Sequence, residues 1–171
     1  MRVLVSAASR YGSTAEIAQA VGDEIRSSGI TVTVASPSEV DTLHGFDAVV
    51  LGSAVYMGHW REPAVKLAGR IHAELPGVPV WLFSSGSVGD PSRKLVRQMG
   101  ADPVDLPKTL AATGAREHQM FAGKLDRHNL RGLQRVGLLF FPSICGDFRD
   151  WEAIRSWARS IAGQLSALSV A

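Results

Sequence analysis

Val3-Leu4-Val5-Ser6-Ala7-Ala8-Ser9-Arg10-Tyr11-Gly12-Ser13-Thr14-Ala15-Glu16 opens with an apolar run, passes through a hydroxyl-rich loop and enters a helical pattern. Val3–Val5 is short and β-leaning. Beyond the loop, Ile17, Val21 and Ile25 recur at i, i+4 and i+8 with Ala18 and Ala20 beside them, while Glu16, Asp23, Glu24 and Arg26 take the other faces. The stretch reads as a strand–loop–helix unit whose helix closes near Gly29. Repetition of such a unit along a chain predicts a parallel sheet.

The pattern does repeat. Ile30-Thr31-Val32-Thr33-Val34 alternates as a second strand, and Ala48-Val49-Val50-Leu51 is continuous and apolar, as a strand buried on both faces should be. Val78–Phe83 is a fourth strand and Gln119–Ala122 a weaker fifth. Ala64–Leu75 and Arg93–Met99 carry helical spacing. After Asp150, a fitting N-cap, Trp151, Ile154, Ala158, Ile161, Leu165 and Leu168 fall on one stripe. The expectation is a single α/β domain over residues 1–171, with a doubly wound, five-stranded parallel sheet between two layers of helices. Such a sheet binds its ligand beyond the carboxyl ends of the strands, where the strand order reverses. Function therefore belongs to the loops after the first, third and fourth strands.

Composition excludes several classes of ligand. Eighteen Lys and Arg against sixteen Asp and Glu leave a net charge of +2, too little for a long nucleic-acid track, and no nucleic-acid partner is expected. Cys145 is the single cysteine. It permits no intrachain disulfide and no thiolate zinc site, it reads as a small structural residue, and no metal is expected. No run approaches the roughly eighteen apolar residues of a membrane span. The N-terminal apolar run is too short for a signal peptide, so a cytoplasmic location is expected.

In the first loop, Ser9, Ser13 and Thr14 supply hydroxyls, Gly12 allows close backbone approach, and the helix start supplies free amides. That set suits a phosphate. Ser13-x-x-Glu16 also fits a capping box, which explains the hydroxyl and the acid without any ligand. No Lys follows Gly12, so ATP and GTP are disfavoured; the glycine fingerprint and terminal acid of a dinucleotide site are missing, because the second strand runs into Ala35-Ser36-Pro37. The acidic cluster of a phosphoacceptor domain is missing near Ser6 and Ser53. A compact ligand with one phosphate remains.

Gly52-Ser53-Ala54-Val55-Tyr56-Met57-Gly58-His59-Trp60 places two aromatics and two glycines on a loop, which suits a planar ring; alternatively Tyr56 and Trp60 cap the sheet. Ser84-Ser85-Gly86-Ser87-Val88-Gly89-Asp90 can wrap the ring's other edge, or is a plain turn. His59 and Asp90 are the titratable groups near that ring, and no catalytic role is assigned to either.

These three loops together resemble the FMN loops of flavodoxin-like proteins, over nearly the whole chain. The resemblance implies strand order 2-1-3-4-5 with FMN where the order reverses between the first and third strands, a geometry taken from that family. By position, Ser9, Arg10, Tyr11, Gly12, Ser13 and Thr14 would hold the FMN phosphate, while Ser53 to Trp60 and Ser84 to Asp90 would flank the isoalloxazine. Ser9 stands where many members have Thr. Within the family, Ser53–His59 and the long segment before Asp150 are similar to the branch containing the menaquinone-dependent protoporphyrinogen oxidases of haem biosynthesis. The implied activity is an FMN-dependent oxidoreductase in which the flavin carries the chemistry and no side chain is nucleophilic.

That long segment, about residues 124–149, carries Lys124, Arg127, Arg131 and Arg135 beside Leu130, Leu133 and Val136–Phe141. An element of this kind can lie at the inner face of an anionic membrane, as an enzyme reducing a lipid quinone requires, or can pack on the domain with its arginines in water. The alternative function is a flavodoxin that shuttles electrons between redox proteins; near-neutral charge argues mildly against it, since such carriers tend to be acidic. A third is a binding protein that kept the fold and lost the flavin.

Overall fold

The computed structural model describes residues 1–87, 102–125 and 146–170. Strands β1 (Arg2–Ala8), β2 (Thr31–Ala35), β3 (Ala48–Tyr56), β5 (Val80–Ser87) and β6 (Glu117–Ala122) form one parallel sheet, ordered β2-β1-β3-β5-β6. The two-residue β4 (His59–Trp60) folds back antiparallel on β3 and adds no strand to the parallel order. The order is thus the expected 2-1-3-4-5 with a small hairpin added.

Period-two alternation in strands buried on both sides builds two cores. Val3, Val5, Val50, Trp81 and Phe83 face helices α1 (Ser13–Ser27) and α4 (Trp151–Val170), and meet Ile17, Val21, Ile25, Ile154, Ile161 and Leu165. Leu4, Val49, Leu51 and Leu82 face α2 (Glu62–Glu74) and α3 (Leu106–Thr113), and meet Leu67, Ala68, Ile71 and Leu106. These are the expected three layers. Asp150 caps α4 as expected: its carboxylate accepts from the Ala153 amide at 2.9 Å. Leu168, placed on the buried stripe by its spacing, is 41% exposed, because the helix outruns the sheet it covers. Trp157, off that stripe, packs edge-on against Phe83 and Phe121 instead.

Two strands are longer than their apolar runs. β3 continues through Gly52-Ser53-Ala54-Val55-Tyr56, and β5 through Ser84-Ser85-Gly86-Ser87, stretches that read as loops. Small residues are favoured there by packing. A Cβ on Gly52 would sit 2.1 Å from the Phe83 ring, and one on Gly86 would sit 2.7 Å from the Val55 Cβ. Helix α3 has no counterpart in the sequence reading, being eight residues long and bracketed by Pro107 and Gly114. In the 124–149 segment, β7 (Lys124–Leu125) pairs antiparallel with β8 (Gly146–Asp147). The Arg93–Met99 helix, the arginines at 127–135 and Cys145 lie outside the described residues. Among the described residues no helix is long and apolar enough to cross a membrane, and no group of three or more His, Cys, Asp and Glu could hold a metal.

Candidate functional site

The carboxyl ends of β1, β3, β5 and β6 converge on a cleft of about 230 Å³. Its walls are Ser13 and Thr14 at the start of α1, Ala54 to Met57 at the end of β3, Ser85 and Gly86 on β5, and Gly123 and Lys124 after β6. The three loops singled out by the sequence meet here. A larger depression of about 340 Å³ lies between the carboxyl ends of α2 and α3, around Leu75–Pro79 and Thr113–Gly114. Helix carboxyl ends repel an anion, so it does not compete for a phosphate ligand.

The first loop is shaped for an anion. Gly12 caps α1 in the left-handed region at φ 91°, and its amide donates to the Ser9 Oγ at 3.0 Å, which leaves the Ser9 proton free to donate outward. The Glu16 amide bonds back to the Gly12 carbonyl, so the first-turn amides of Ser13, Thr14 and Ala15 have no acceptor within the helix. The capping box is absent: Ser13 is the first helical residue and makes no cap bond. Glu16 turns instead to Arg149, whose side chain is only 3% exposed. The Arg149 Nη1 donates to the Glu16 Oε2 at 2.6 Å and to the Ser13 carbonyl at 3.2 Å. Its Nε and Nη2 donate to the Asp147 carboxylate at 2.8 and 2.6 Å, and its guanidinium lies over Trp151. The bond to Arg149 holds the Asp147 carboxyl below its usual range, and those to Asp147 and Glu16 hold the guanidinium above its own. Arg149 thereby joins the β7–β8 pair to the first turn of α1. Its two partners on α1, Ser13 and Glu16, lie more than 130 residues away in sequence, which is why periodicity could not reveal that link.

The second loop splits into two groups. Ala54, Val55, Tyr56 and Met57 line the cleft. Tyr56 is 36% exposed, stands edge-on to Tyr11 at 6.5 Å between centroids, and has the Arg10 and Arg61 guanidinium groups over its ring. Burial, with Tyr11 adding to it, raises the Tyr56 phenol above its ordinary value despite the two arginines. Met57 and Gly58 both take positive φ and make the tight β3–β4 turn. Ser53 and Trp60, read as ring-flanking, are in the core instead. The Ser53 Oγ donates to the Ala54 carbonyl and accepts from the Arg61 amide. Trp60 is 4% exposed, and its indole donates to the Ser84 Oγ at 2.7 Å. This is the sheet-capping alternative, and it holds for Trp60 because β4 folds its ring inward. His59 is exposed and pairs with Asp105 at 3.0 Å.

In the third loop, Ser85 and Gly86 line the cleft, whereas Ser84 is fully buried. The Ser84 Oγ accepts from Trp60 and shares a second hydrogen bond with the His118 Nε2 at 2.8 Å. Ser87 ends β5, and Gly89 and Asp90 lie outside the described residues. Burial, partly offset by Asp102, pushes the His118 imidazole below its ordinary value of 6.5. The folded state therefore resists a proton that the unfolded chain accepts. Stability is complete above pH 6.5 and falls as pH drops from there toward the lowered value. Urea titrations of His118→Gln at about pH 7.5 and pH 5.5 should show a smaller acid-side loss than the parent.

A parallel α/β sheet with a cleft beyond its carboxyl ends, where the strand order reverses, defines a class of small ligand-binding domains. The flavodoxin domain profile matches residues 4–149, and the chain belongs to that family. FMN is its cofactor, and redox chemistry its general function. The donor set fits: three outward amides, the hydroxyls of Ser9, Ser13 and Thr14, and a cleft floored by Gly86 where a Cβ could not stand. The protoporphyrinogen IX dehydrogenase [quinone] of Escherichia coli K12 is 23% identical over 95% of both chains. A flavodoxin from the domain Archaea has a TM-score of 0.65 at 18% identity, covering 97% of this chain and 99% of its own. A Streptococcus pneumonia TIGR4 flavodoxin has a TM-score of 0.61 at 19% identity, covering 96% and 99%.

Proposed function

We propose that this chain is an FMN-dependent dehydrogenase that oxidises protoporphyrinogen IX and passes the electrons to a quinone such as menaquinone. Bound FMN would supply the redox chemistry, each electron pair and its protons leaving the donor and ending on one quinone as quinol. The residues would bind and orient. Ser9, Gly12, Ser13 and Thr14 would hold the phosphate with the first-turn amides, and Ala54 to Met57 with Ser85 and Gly86 would border the ring.

The observation that carries this reading is the rim of the cleft. Tyr11, Tyr56, Met57 and Val104 are all exposed at the same end of the sheet, which suits a large apolar macrocycle beside the flavin. The relative named for this reaction supports it by aligning over 95% of both chains at 23% identity. The basic segment around Arg127–Arg135 would bring the enzyme to a membrane that carries quinone. Anaerobic protoporphyrinogen IX, mixed with FMN-loaded protein and a menaquinone analogue, should give porphyrin fluorescence that requires both FMN and quinone. Rapid one-electron reduction by a ferredoxin reductase with no porphyrin formed under any quinone would replace this reading with the carrier.

A further inference from the structure

We propose that Arg61, with Arg10, forms a carboxylate-recognising pair at the mouth of the cleft and selects an amphiphilic substrate that bears carboxylates on an apolar body. The proposal rests on the small-molecule reading above and names the groups that would recognise its substrate.

Six large hydrophobic residues are exposed among the described residues: Met1 and Leu168 near the chain ends, and Tyr11, Tyr56, Met57 and Val104 around the cleft. Met57 is 98% exposed and held at φ 51°, a left-handed conformation that residues other than glycine rarely adopt. The turn is braced there. The Val104 amide donates to the Gly58 carbonyl at 2.8 Å, and Asp105 accepts from the His59 ring and the Trp60 amide at 3.0 and 2.9 Å. A strained, anchored turn that holds an apolar side chain out beside a ligand cleft is a recognition feature rather than a packing one.

The cations occupy the same spot. Arg10 and Arg61 lie over the Tyr56 ring at 5.6 and 5.8 Å from its centroid. A guanidinium held near a ring by cation–π attraction makes no hydrogen bond to it and keeps its N–H groups for a bidentate acceptor. Among the described residues neither has a carboxylate at ion-pair distance. Glu62, next in sequence to Arg61, is held by Lys66 at 2.7 Å, and Asp105 is engaged by His59 and Trp60. The Arg61 backbone is fixed by its amide bond to the buried Ser53 Oγ. Two guanidinium groups gathered at one half-exposed ring, beside an apolar rim, are complementary to an apolar body with acidic arms. Arg10 also belongs to the proposed phosphate loop, so Arg61 carries the test.

Protoporphyrin IX and its dimethyl ester differ only in free carboxylates, and both can be titrated into FMN-loaded protein by fluorescence without turnover. The wild type should bind the diacid about tenfold more tightly than the ester. Arg61→Gln should lose about that factor for the diacid and almost none for the ester, and Arg61→Lys should recover part of it. Equal affinity of the wild type for acid and ester overturns the proposal whether or not the variants fold. So does an Arg61→Gln protein that binds both like the wild type, even if it turns over protoporphyrinogen. Slower electron transfer to an acidic redox protein with unchanged porphyrin affinity would also overturn it and make that protein the occupant. Carboxylate-dependent binding without turnover would leave this proposal standing and remove only the reaction proposed above.

Discussion

Replacing Arg149 with methionine is expected to lower the unfolding free energy of the apoprotein by about 2–3 kcal/mol and to weaken FMN binding about tenfold. The side chain is 3% exposed and satisfied by Asp147, Glu16 and the Ser13 carbonyl. Its loss therefore strands two acids and a carbonyl at once. Full burial of such a network would cost about 3–5 kcal/mol to break. The lower figure follows because Glu16 and Asp147 are 53% and 39% exposed and regain water. The FMN effect has a separate cause. Glu16 lies in the first turn of α1, and without Arg149 its negative charge faces the anion that the helix start attracts. Glu16→Gln in the Arg149→Met background should recover much of the FMN affinity and little of the stability. Calorimetric titration of FMN and denaturant melts of the apoprotein measure the two separately. Equal FMN affinity in all three proteins would show that Arg149 acts on the fold alone.

Gly52→Ala should be costlier than any surface change, at about 3 kcal/mol, or a fall in Tm of about 6–12 °C for a chain of this size. Gly52 lies opposite Phe83 in the β3–β5 register, and the ring covers it: an added Cβ would be 2.1, 2.3 and 2.5 Å from three Phe83 ring atoms. Phe83 is fully buried against Phe121 and Trp157 and cannot swing away. The Ala variant should therefore unfold earlier with the same denaturant slope. Gly52→Ala combined with Phe83→Leu should recover part of the loss, because the smaller side chain vacates the space over position 52. A Gly52→Ala protein with parental Tm would mean that the cross-strand contact is not tight.

The depth to which the sheet could be read varied with how far each signal depends on neighbours. Val3–Val5, Ala48–Leu51 and Val78–Phe83 announce themselves because strands buried on both faces must be apolar throughout. The same rule fails for Ser53 and Ser84. Both are strand residues, fully buried, with hydroxyls satisfied by Arg61, Trp60 and His118, partners that only the fold brings near. Trp60 shows the converse: an aromatic beside the binding loop resembles a ring-stacking residue until the β4 hairpin turns it inward. Helix α3 escapes because eight residues give barely two turns of periodicity.

The opening strand, loop and helix start, Val3 to Glu16, contain within themselves the features that favour an anion: the end of a strand, Gly12 at positive φ, and amides that a helix start cannot satisfy. Local backbone chemistry needs no distant partner, so that part was legible in sequence order alone. Which residues complete the site is a matter of tertiary structure. Arg149 reaches Ser13 and Glu16 across more than 130 positions, Gly86 is excluded from carrying a side chain by Val55, and Arg10 and Arg61 meet over Tyr56. Each of these depends on strand register and helix packing. The energy of a contact is set by distance in space, and sequence spacing encodes that distance only within a single helix, strand or turn.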